Sequence, residues 1–478
     1  MRILHVATEL FPLFKVGGLG DVLAGLPLAQ AAQGEDVRIL LPGLATLGPL
    51  MPDLERLDLP DLPRALARGR SPAGLPLYLL DIPAPYSAEG PAYRDQAEGV
   101  ADLGLLAQVA TRLALEGDGQ GWRPEVVHAH DWPTGLVPAR LAQVPGPRPV
   151  TVFTIHNAAH QGLYPRRTFP SLGLPPEADA PDGVEFYGQV SLIKAGLRYA
   201  DKLTTVSPTY RRELLRVGEG MGLEGLLQAR AADFSGILNG VDAATWDPRT
   251  DTALPLPFDE GRLGLRAVNK RALQRELGLE EDESVPLLAV VSRLDVQKGL
   301  DLVQANAESI LARGAQLAVL GVGDPELETS FRILSRRHSG RIAFARTHDE
   351  DLAHRFFGAA DFVLVPSRFE PCGLTQLYAM RYGALPIARR TGGLADTVVD
   401  PEFGRVAAGP PTGFIFTEPT AEALDWALAR ALRVREEIPK RLEALQRSAM
   451  ERDSGWAAPA RAYGALYRSA VETSGGQP

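Results

Sequence analysis

The segment SRFEPCGLTQ, residues 367–376, sets a glutamate, Glu370, and the chain's only cysteine, Cys372, between an apolar run (DFVLVP) and a helical pattern (LTQLYAMRYG). The first N–H groups of a helix starting near Gly373 have no partner within the helix and favour an anion, so Gly373, Leu374 and Thr375 are candidate phosphate ligands. A carboxylate beside a phosphate is repelled. Glu370 is therefore either a helix-capping acid or a partner for sugar hydroxyls or a developing cation. At a helix amino end a thiol becomes more acidic, which makes Cys372 a candidate nucleophile. No histidine lies nearby in sequence as its base, and a small half-buried spacer is the other reading. In VVSRLDVQKGLDL, Arg293 and Lys298 stand five residues apart after another apolar run. Two cations on one loop can hold a diphosphate and offset the charge that develops as it leaves, each donor contributing roughly 3 kcal/mol; an ordinary solvated loop is the alternative.

Three further clusters end apolar runs. FPLFKVGGLGDV places Lys15 ahead of Gly17, Gly18 and Gly20 at the start of a helix, where glycine lets the backbone approach an anion. Asp36 stands where a ribose-binding acid would, but no G-x-G-x-x-G runs through these glycines, so a dinucleotide fingerprint is not met; a tight turn is the plain reading. VHAHDWPTG and FTIHNAAHQG supply His128, His130, Asp131, His156, Asn157 and His160. These lack a convincing third-ligand spacing for a metal, and polar groups of this kind suit a hydroxyl-rich ligand.

Such clusters need strands that end together. The apolar runs RILHVAT, DVRILL, LYLLD, EVVHAH, VTVFTIH, KLTTVS and SGILNG alternate with helical patterns in the first half, and PLLAVVS, AQLAVLG, RIAFA, DFVLVP and ALPIA do so in the second. This alternation predicts βαβ units and parallel sheets, with ligands outside the carboxyl ends of the strands. A chain of 478 residues suggests two α/β domains of about 200 residues each. The Pro- and Asp-rich stretch VDAATWDPRTDTALPLPFDEGR lacks helical periodicity, so residues 243–262 are read as a linker between domains 1–242 and 263–455. A closing helix, 456–472, places Trp456, Tyr463 and Tyr467 on one face, suited to packing back on the first domain.

A formal net charge of −9 argues against a nucleic-acid surface, and no apolar run approaches the ~18 residues needed to cross a membrane. One cysteine excludes an internal disulfide framework and fits a reducing cytoplasm. MRILHVATEL reads as a first strand rather than a signal peptide.

Taken in order, KVGGLGDV, HAHDW, HNAAHQG, LNGVD, VVSRLDVQKGLDL and SRFEPCGLTQLYAMRYG followed by RRTGGLADTV resemble the bacterial glycogen synthase and plant starch synthase family over nearly the whole chain. The resemblance implies the α/β GT-B fold, two Rossmann-like doubly wound domains facing across a cleft. It also implies transfer of glucose from ADP-glucose to the non-reducing end of an α-1,4-glucan with retention of configuration, without a cofactor or metal. Lys15, Gly17 and Gly18 then match the donor-binding loop, and Arg293 and Lys298 the diphosphate pair. Glu370 matches the essential glutamate beside the donor glucose, with Cys372, Gly373, Leu374 and Thr375 in the phosphate-facing turn. His156 matches the histidine whose backbone lies near the anomeric carbon, and Asp131, Asn157, Asn239 and Tyr93 match residues around the sugar.

The chain departs from the family pattern at Thr347, where a tyrosine commonly stacks on adenine, and at Val16, Pro133 and His160. The same reaction with UDP-glucose or with both donors, and a non-catalytic glucan-binding homologue, are the alternatives. The second predicts loss of the cations or the glutamate, whereas Lys15, Arg293, Lys298 and Glu370 are all present.

Overall fold

The computed structural model describes residues 1–51, 53–57, 59, 62, 64–83, 97–402 and 409–475. Two compact units emerge, Met1–Gly240 together with Trp456–Pro478, and Val241–Gly455.

In the first unit the strands are β1 (Arg2–Val6), β2 (Asp36–Pro42), β3 (Glu55–Leu57), β4 (Leu66–Arg70), β5 (Pro76–Leu80), β6 (Val126–His130), β7 (Val150–Ile155), β8 (Leu163–Pro165), β9 (Glu185–Phe186), β10 (Gln189–Ser191), β11 (Lys202–Thr205) and β12 (Phe234–Gly236). Nine of them form one sheet in the order β12-β11-β7-β6-β1-β2-β5-β4-β3, parallel except at the β4 and β3 edge. Period-two alternation sorts its side chains into two layers. Leu4, Val6, Leu40 and Leu80 pack with the helix Ala97–Glu116, while Ile3, Val37, Ile39 and Leu41 pack under the helix Gly18–Ala32 and the C-terminal helix Ala457–Gly475. Strands buried on both faces read as continuous apolar runs, which is why they are legible in the sequence. Trp456, Tyr463 and Tyr467 are buried in the second of these layers. Gly25 marks the close approach there: a Cβ at this position would lie 1.9 Å from Trp456 Nε1.

The second unit holds β13 (Leu287–Val291), β14 (Gln316–Leu320), β15 (Ile342–Ala345), β16 (Phe362–Val365), β17 (Leu385–Arg389) and β18 (Phe414–Phe416). All pair in parallel, in the order β15-β14-β13-β16-β17-β18. In this doubly wound order the chain reverses direction across the sheet between β13 and β16, and in the first unit between β1 and β6. Loops diverge at such points and leave a crevice at the carboxyl ends of the strands.

The stretch 243–262, read from sequence as a linker, is packed structure. Trp246, Leu254 and Phe258 are buried in the second unit's core. The Trp246 ring stacks at 3.8 Å on both His354 and Tyr378. Asp251 Oδ2 is bonded to His354 Nδ1 at 2.7 Å and accepts from the Tyr382 hydroxyl. Aromatic anchors at irregular spacing, rather than periodicity, hold this segment, so a pattern search passes over it. The strands absent from the sequence reading have related causes. β3, β8, β9, β10 and β18 are two or three residues long, and β4, next to the edge strand β3, carries two arginines and a glycine.

Burial alone would raise the Asp251 carboxyl, but hydrogen bonds from His354, Tyr382 and the Ala253 amide outweigh it and hold the group below the usual carboxylate range. Its contribution is therefore present at neutral pH and lost as pH falls through the folded-state value. Asp251→Ala leaves His354 and Tyr382 without their acceptor and is expected to cost about 3 kcal/mol in urea unfolding at pH 7. A loss below about 0.5 kcal/mol, the range of ordinary surface substitutions, would show that the segment is not anchored there.

Candidate active-site residues in each unit

In the second unit the loops that leave β13 and β16 are tied to each other. Arg368 N donates to Gln297 O at 2.7 Å and Arg368 Nη1 to Val296 O at 2.9 Å. Asp295 caps the short turn after β13 by accepting from Lys298 N at 2.9 Å. Gly299 follows at φ 66, where an added Cβ would lie 2.2 Å from Pro366 O. The pairing aims Lys298 Nζ at Glu370 Oε2, 2.7 Å away, and Ser367 Oγ donates to the same oxygen at 2.8 Å. Glu370 is 5% exposed, so this is a desolvated, charge-assisted contact. Arg293 is half exposed and only loosely paired, 3.4 Å from Asp295, which leaves its guanidinium accessible.

The turn around Glu370 rests on the glycines of RRTGGLADTV. Gly393 N donates to Glu370 O at 3.0 Å and to Pro371 O at 3.2 Å. A Cβ at Gly393 would lie 2.1 Å from Cys372 O, and one at Gly392 (φ 43) would lie 1.8 Å from Glu370 O. Cys372 is buried beneath this contact, as a packed member of the turn. Gly373 takes φ 74, and the helix begins at Thr375, two residues later than the sequence reading placed it. Glu370, Lys298, Ser367, Gly373 and Thr375 line one small cavity. The Oε1 atom of Gln376, which also lines it, is buried without a hydrogen-bond partner.

In the first unit the crevice residues come from β1, β6, β7 and β12. Glu9, just past β1, is 2% exposed, and its Oε2 accepts from Val16 N at 2.8 Å and Gly17 N at 3.0 Å. The carboxylate shapes the glycine loop from within. Gly18 opens the helix Gly18–Ala32, and Lys15 pairs with Asp21 at 2.8 Å. Asp131, directly after β6, adopts φ 62, a left-handed conformation rarely taken by a non-glycine residue. Its side chain accepts from the backbone N–H of Trp132 at 2.9 Å and from those of His156 and Asn157. Burial pushes the Asp131 carboxyl up to about 8, with the nearby Glu9 charge adding to the rise and the three amides opposing it. Strain of this kind persists where surrounding structure overdetermines it, typically at functional sites. Asp131 thus holds the backbone on which His156 and Asn157 sit. Asn239, past β12, buries its Oδ1 without a partner, and so does the Thr8 hydroxyl past β1. Buried acceptors left open suit hydroxyl donors of a ligand.

Of the residues proposed from sequence, the second unit brings together Glu370, Lys298, Cys372, Gly373, Leu374 and Thr375, with Arg293 on the same loop as Lys298. The first brings Asp131, His156 and Asn157 into one hydrogen-bonded corner, and Lys15, Gly17 and Gly18 into another. Tyr93 lies outside the described residues. Sequence reasoning missed Glu9, Ser367 and the role of Gly392 and Gly393. An acid ending an apolar strand run, as in HVATEL, was the available signal for Glu9.

Gly393→Ala should drive the turn off Cys372 and displace Glu370. Misplacement by about 1 Å is worth on the order of 100-fold in turnover. Gly225→Ala, where an added Cβ meets nothing within 4 Å, is the control expected to keep full activity. Equal activity of the two variants in a glucosyl-transfer assay would contradict the role given to the glycine contact.

Comparison with known proteins identifies the family of the chain. Residues 2–229 match the starch synthase catalytic domain family, and residues 271–449 match glycosyl transferases group 1. The chain is 47% identical to the glycogen synthase of Yersinia pestis (strain Pestoides F) over 478 residues, 98% of this chain and 100% of that protein. It is also 47% identical to the glycogen synthase of Yersinia enterocolitica, again covering all of that relative. Among solved structures it resembles the catalytic domain of starch synthase IV from Arabidopsis thaliana, bound there to ADP and acarbose. That match has a TM-score of 0.89 and 31% identity, over 98% of this chain and 99% of that one. Sucrose-phosphate synthase from Thermosynechococcus elongatus, at 21% identity and a TM-score of 0.61, shares the fold. The fold is GT-B, and the chain belongs to the glycogen and starch synthase family of glycosyltransferases.

Proposed function

We propose that this glycosyltransferase takes glucose from ADP-glucose and adds it, with retention, to the non-reducing end of an α-1,4-glucan. The observation that carries the reading is the buried Glu370–Lys298 contact beside the Gly373 turn, in a chain 47% identical to glycogen synthases over its length. A cation next to a carboxylate suits a ligand with a diphosphate at one end and hydroxyls at the other. The ADP bound to the Arabidopsis starch synthase supports the adenine nucleotide as the donor's leaving group.

In the proposed step the bond from the anomeric carbon to the diphosphate oxygen breaks while the acceptor hydroxyl approaches on the same side. The new glycosidic bond forms, and the hydroxyl proton passes to the departing phosphate. Lys298, Arg293 and Lys15 offset the charge growing on the diphosphate. Glu370 holds sugar hydroxyls and stabilises the cationic character of the ring. Asp131 fixes the His156–Asn157 backbone, whose carbonyl dipoles face positive charge better than a flexible loop would. Cys372 serves as structure. A reducing cytoplasm is the compartment we infer, supported by the single, buried cysteine. No helix among the described residues is long and apolar enough to cross a membrane.

The test is glucose incorporation into glycogen from ADP-glucose and from UDP-glucose, with wild type and Glu370→Gln. The wild type is expected to prefer ADP-glucose. Glu370→Gln is expected to lose at least about 100-fold in turnover with its melting temperature retained, the scale on which a single group acting in the transition state is felt. Equal use of both donors would overturn the base assignment, and an active Glu370→Gln enzyme would overturn the role of the glutamate.

A further inference from the structure

The first unit buries a histidine cluster that the proposed reaction leaves unused. His5 on β1 and His128 and His130 on β6 point to the sheet face covered by the helices Gly18–Ala32 and Ala457–Gly475, and all three are 0% exposed. Their ring nitrogens come within 4.8 Å of one another, a spacing that a metal ion could exploit. Each of those nitrogens is instead taken up in a hydrogen bond within the protein. Gln30 Oε1 meets His5 Nε2 at 2.8 Å, His5 Nδ1 meets His130 Nε2 at 2.8 Å, and His130 Nδ1 meets His156 Nε2 at 3.1 Å. A branch leaves the same amide: Gln30 Nε2 donates to the Tyr467 hydroxyl at 3.2 Å. That hydroxyl meets His128 Nδ1 at 2.7 Å, and His128 Nε2 meets Thr154 Oγ1 at 2.6 Å.

A neutral imidazole has one donor and one acceptor nitrogen, and each contact between two rings has room for one hydrogen. The Gln30 carbonyl oxygen only accepts, so the His5 proton sits on Nε2. His5 Nδ1 must then accept, which puts the His130 proton on Nε2. His130 Nδ1 accepts in turn and receives the Nε2 proton of His156. The branch agrees with the same amide orientation. The amide N–H occupies the Tyr467 oxygen, the hydroxyl proton turns to His128 Nδ1, and His128 donates from Nε2 to Thr154. Burial lowers His5 to about 4 and His156 to about 3, and holds His128 and His130 well below the ordinary value, so the four rings are neutral at pH 7.

We propose that Gln30 is a positioning residue for glucosyl transfer: through His5 and His130 its amide fixes His156 as the Nε2–H tautomer and leaves Nδ1 as that ring's open acceptor. Tyr467, on the C-terminal helix, is the amide's second partner and accepts from its nitrogen. Gln30 lies near the end of the helix whose beginning carries Gly17 and Gly18, so one helix serves both corners of the first unit's site. The proposal rests on the reading of His156 as a residue beside the transferred sugar.

Long-range ¹⁵N–¹H correlation spectra of the full-length protein labelled at histidine, with His156 assigned from a His156→Asn sample, read the tautomers directly. At pH 7 the wild-type His156 is expected to show a protonated Nε2 and an unprotonated Nδ1. In Gln30→Met, similar in size but without the amide, His156 should become a mixture of tautomers. Turnover of that variant should fall about ten-fold, with donor KM changing less than about two-fold. A charged or Nδ1-protonated His156 in the wild type overturns the proposal, as does an unchanged tautomer in Gln30→Met. A changed tautomer with unchanged turnover overturns Gln30's part in the reaction and leaves the backbone placement of His156 beside the sugar standing. Should Gln30→Met not fold, Tyr467→Phe, which frees the amide to turn, is expected to give the same mixture, and an unmixed Nε2–H form there counts against the proposal.

Discussion

Buried carboxyl groups that follow parallel strands are the constraint around which the candidate residues of each unit are arranged. A carboxyl group removed from water is costly unless N–H groups or a cation meet it. Here the partners come from the loop that must be shaped. Glu9 gathers the amides of Val16 and Gly17, Asp131 those of Trp132, His156 and Asn157, and Glu370 takes Lys298 and Ser367. Each acid thus converts its own desolvation into the fixed geometry of a ligand loop. Because the doubly wound order places such loops where the chain reverses across the sheet, the acids and the crevices coincide.

Glycine does the complementary work. At Gly392 and Gly393 a side chain would collide with the backbone of the Glu370 turn, and at Gly299 with Pro366 O. These contacts are backbone against backbone, so they do not yield as a flexible side chain would. The loops from β13 and β16 and the turn before the helix Gly392–Thr397 behave as one block, which keeps Lys298 and Glu370 in register.

Much of this was legible in the residues. Strands buried on both faces announce themselves as apolar runs, and RILHV, VVHAH, LLAVV and FVLV all lie within runs read as strands. The polar residues closing those runs were visible for the same reason. Less legible was whatever depends on contacts between distant segments. Trp246, Leu254 and Phe258 sit in a Pro- and Asp-rich stretch with no period, and only packing against His354, Tyr378 and Tyr382 reveals them as core. The acid that shapes the Lys15 loop, Glu9, lies seven residues ahead of Val16, and nothing in the spacing marks the pair. The histidines drew notice as strand-end polar groups, but the branch point at Gln30 and the closing helix with Tyr467 lie 437 residues apart and meet only in the fold. Base selection is a separate matter: Thr347, two residues past β15, offers no aromatic face, so the proposed preference for adenine would rest on other contacts.

In the proposed reaction Lys298 serves the diphosphate and Glu370 the sugar, although the two form a single ion pair. Calorimetric binding of ADP to wild type, Lys298→Gln and Glu370→Gln separates the roles. Loss of the cation should weaken ADP binding by about ten-fold or more, while loss of the carboxylate should leave it unchanged or strengthen it, because a negative neighbour has been removed. Equal weakening in both variants would contradict the account, since it would make the pair one nucleotide-binding unit with no separate place for the sugar.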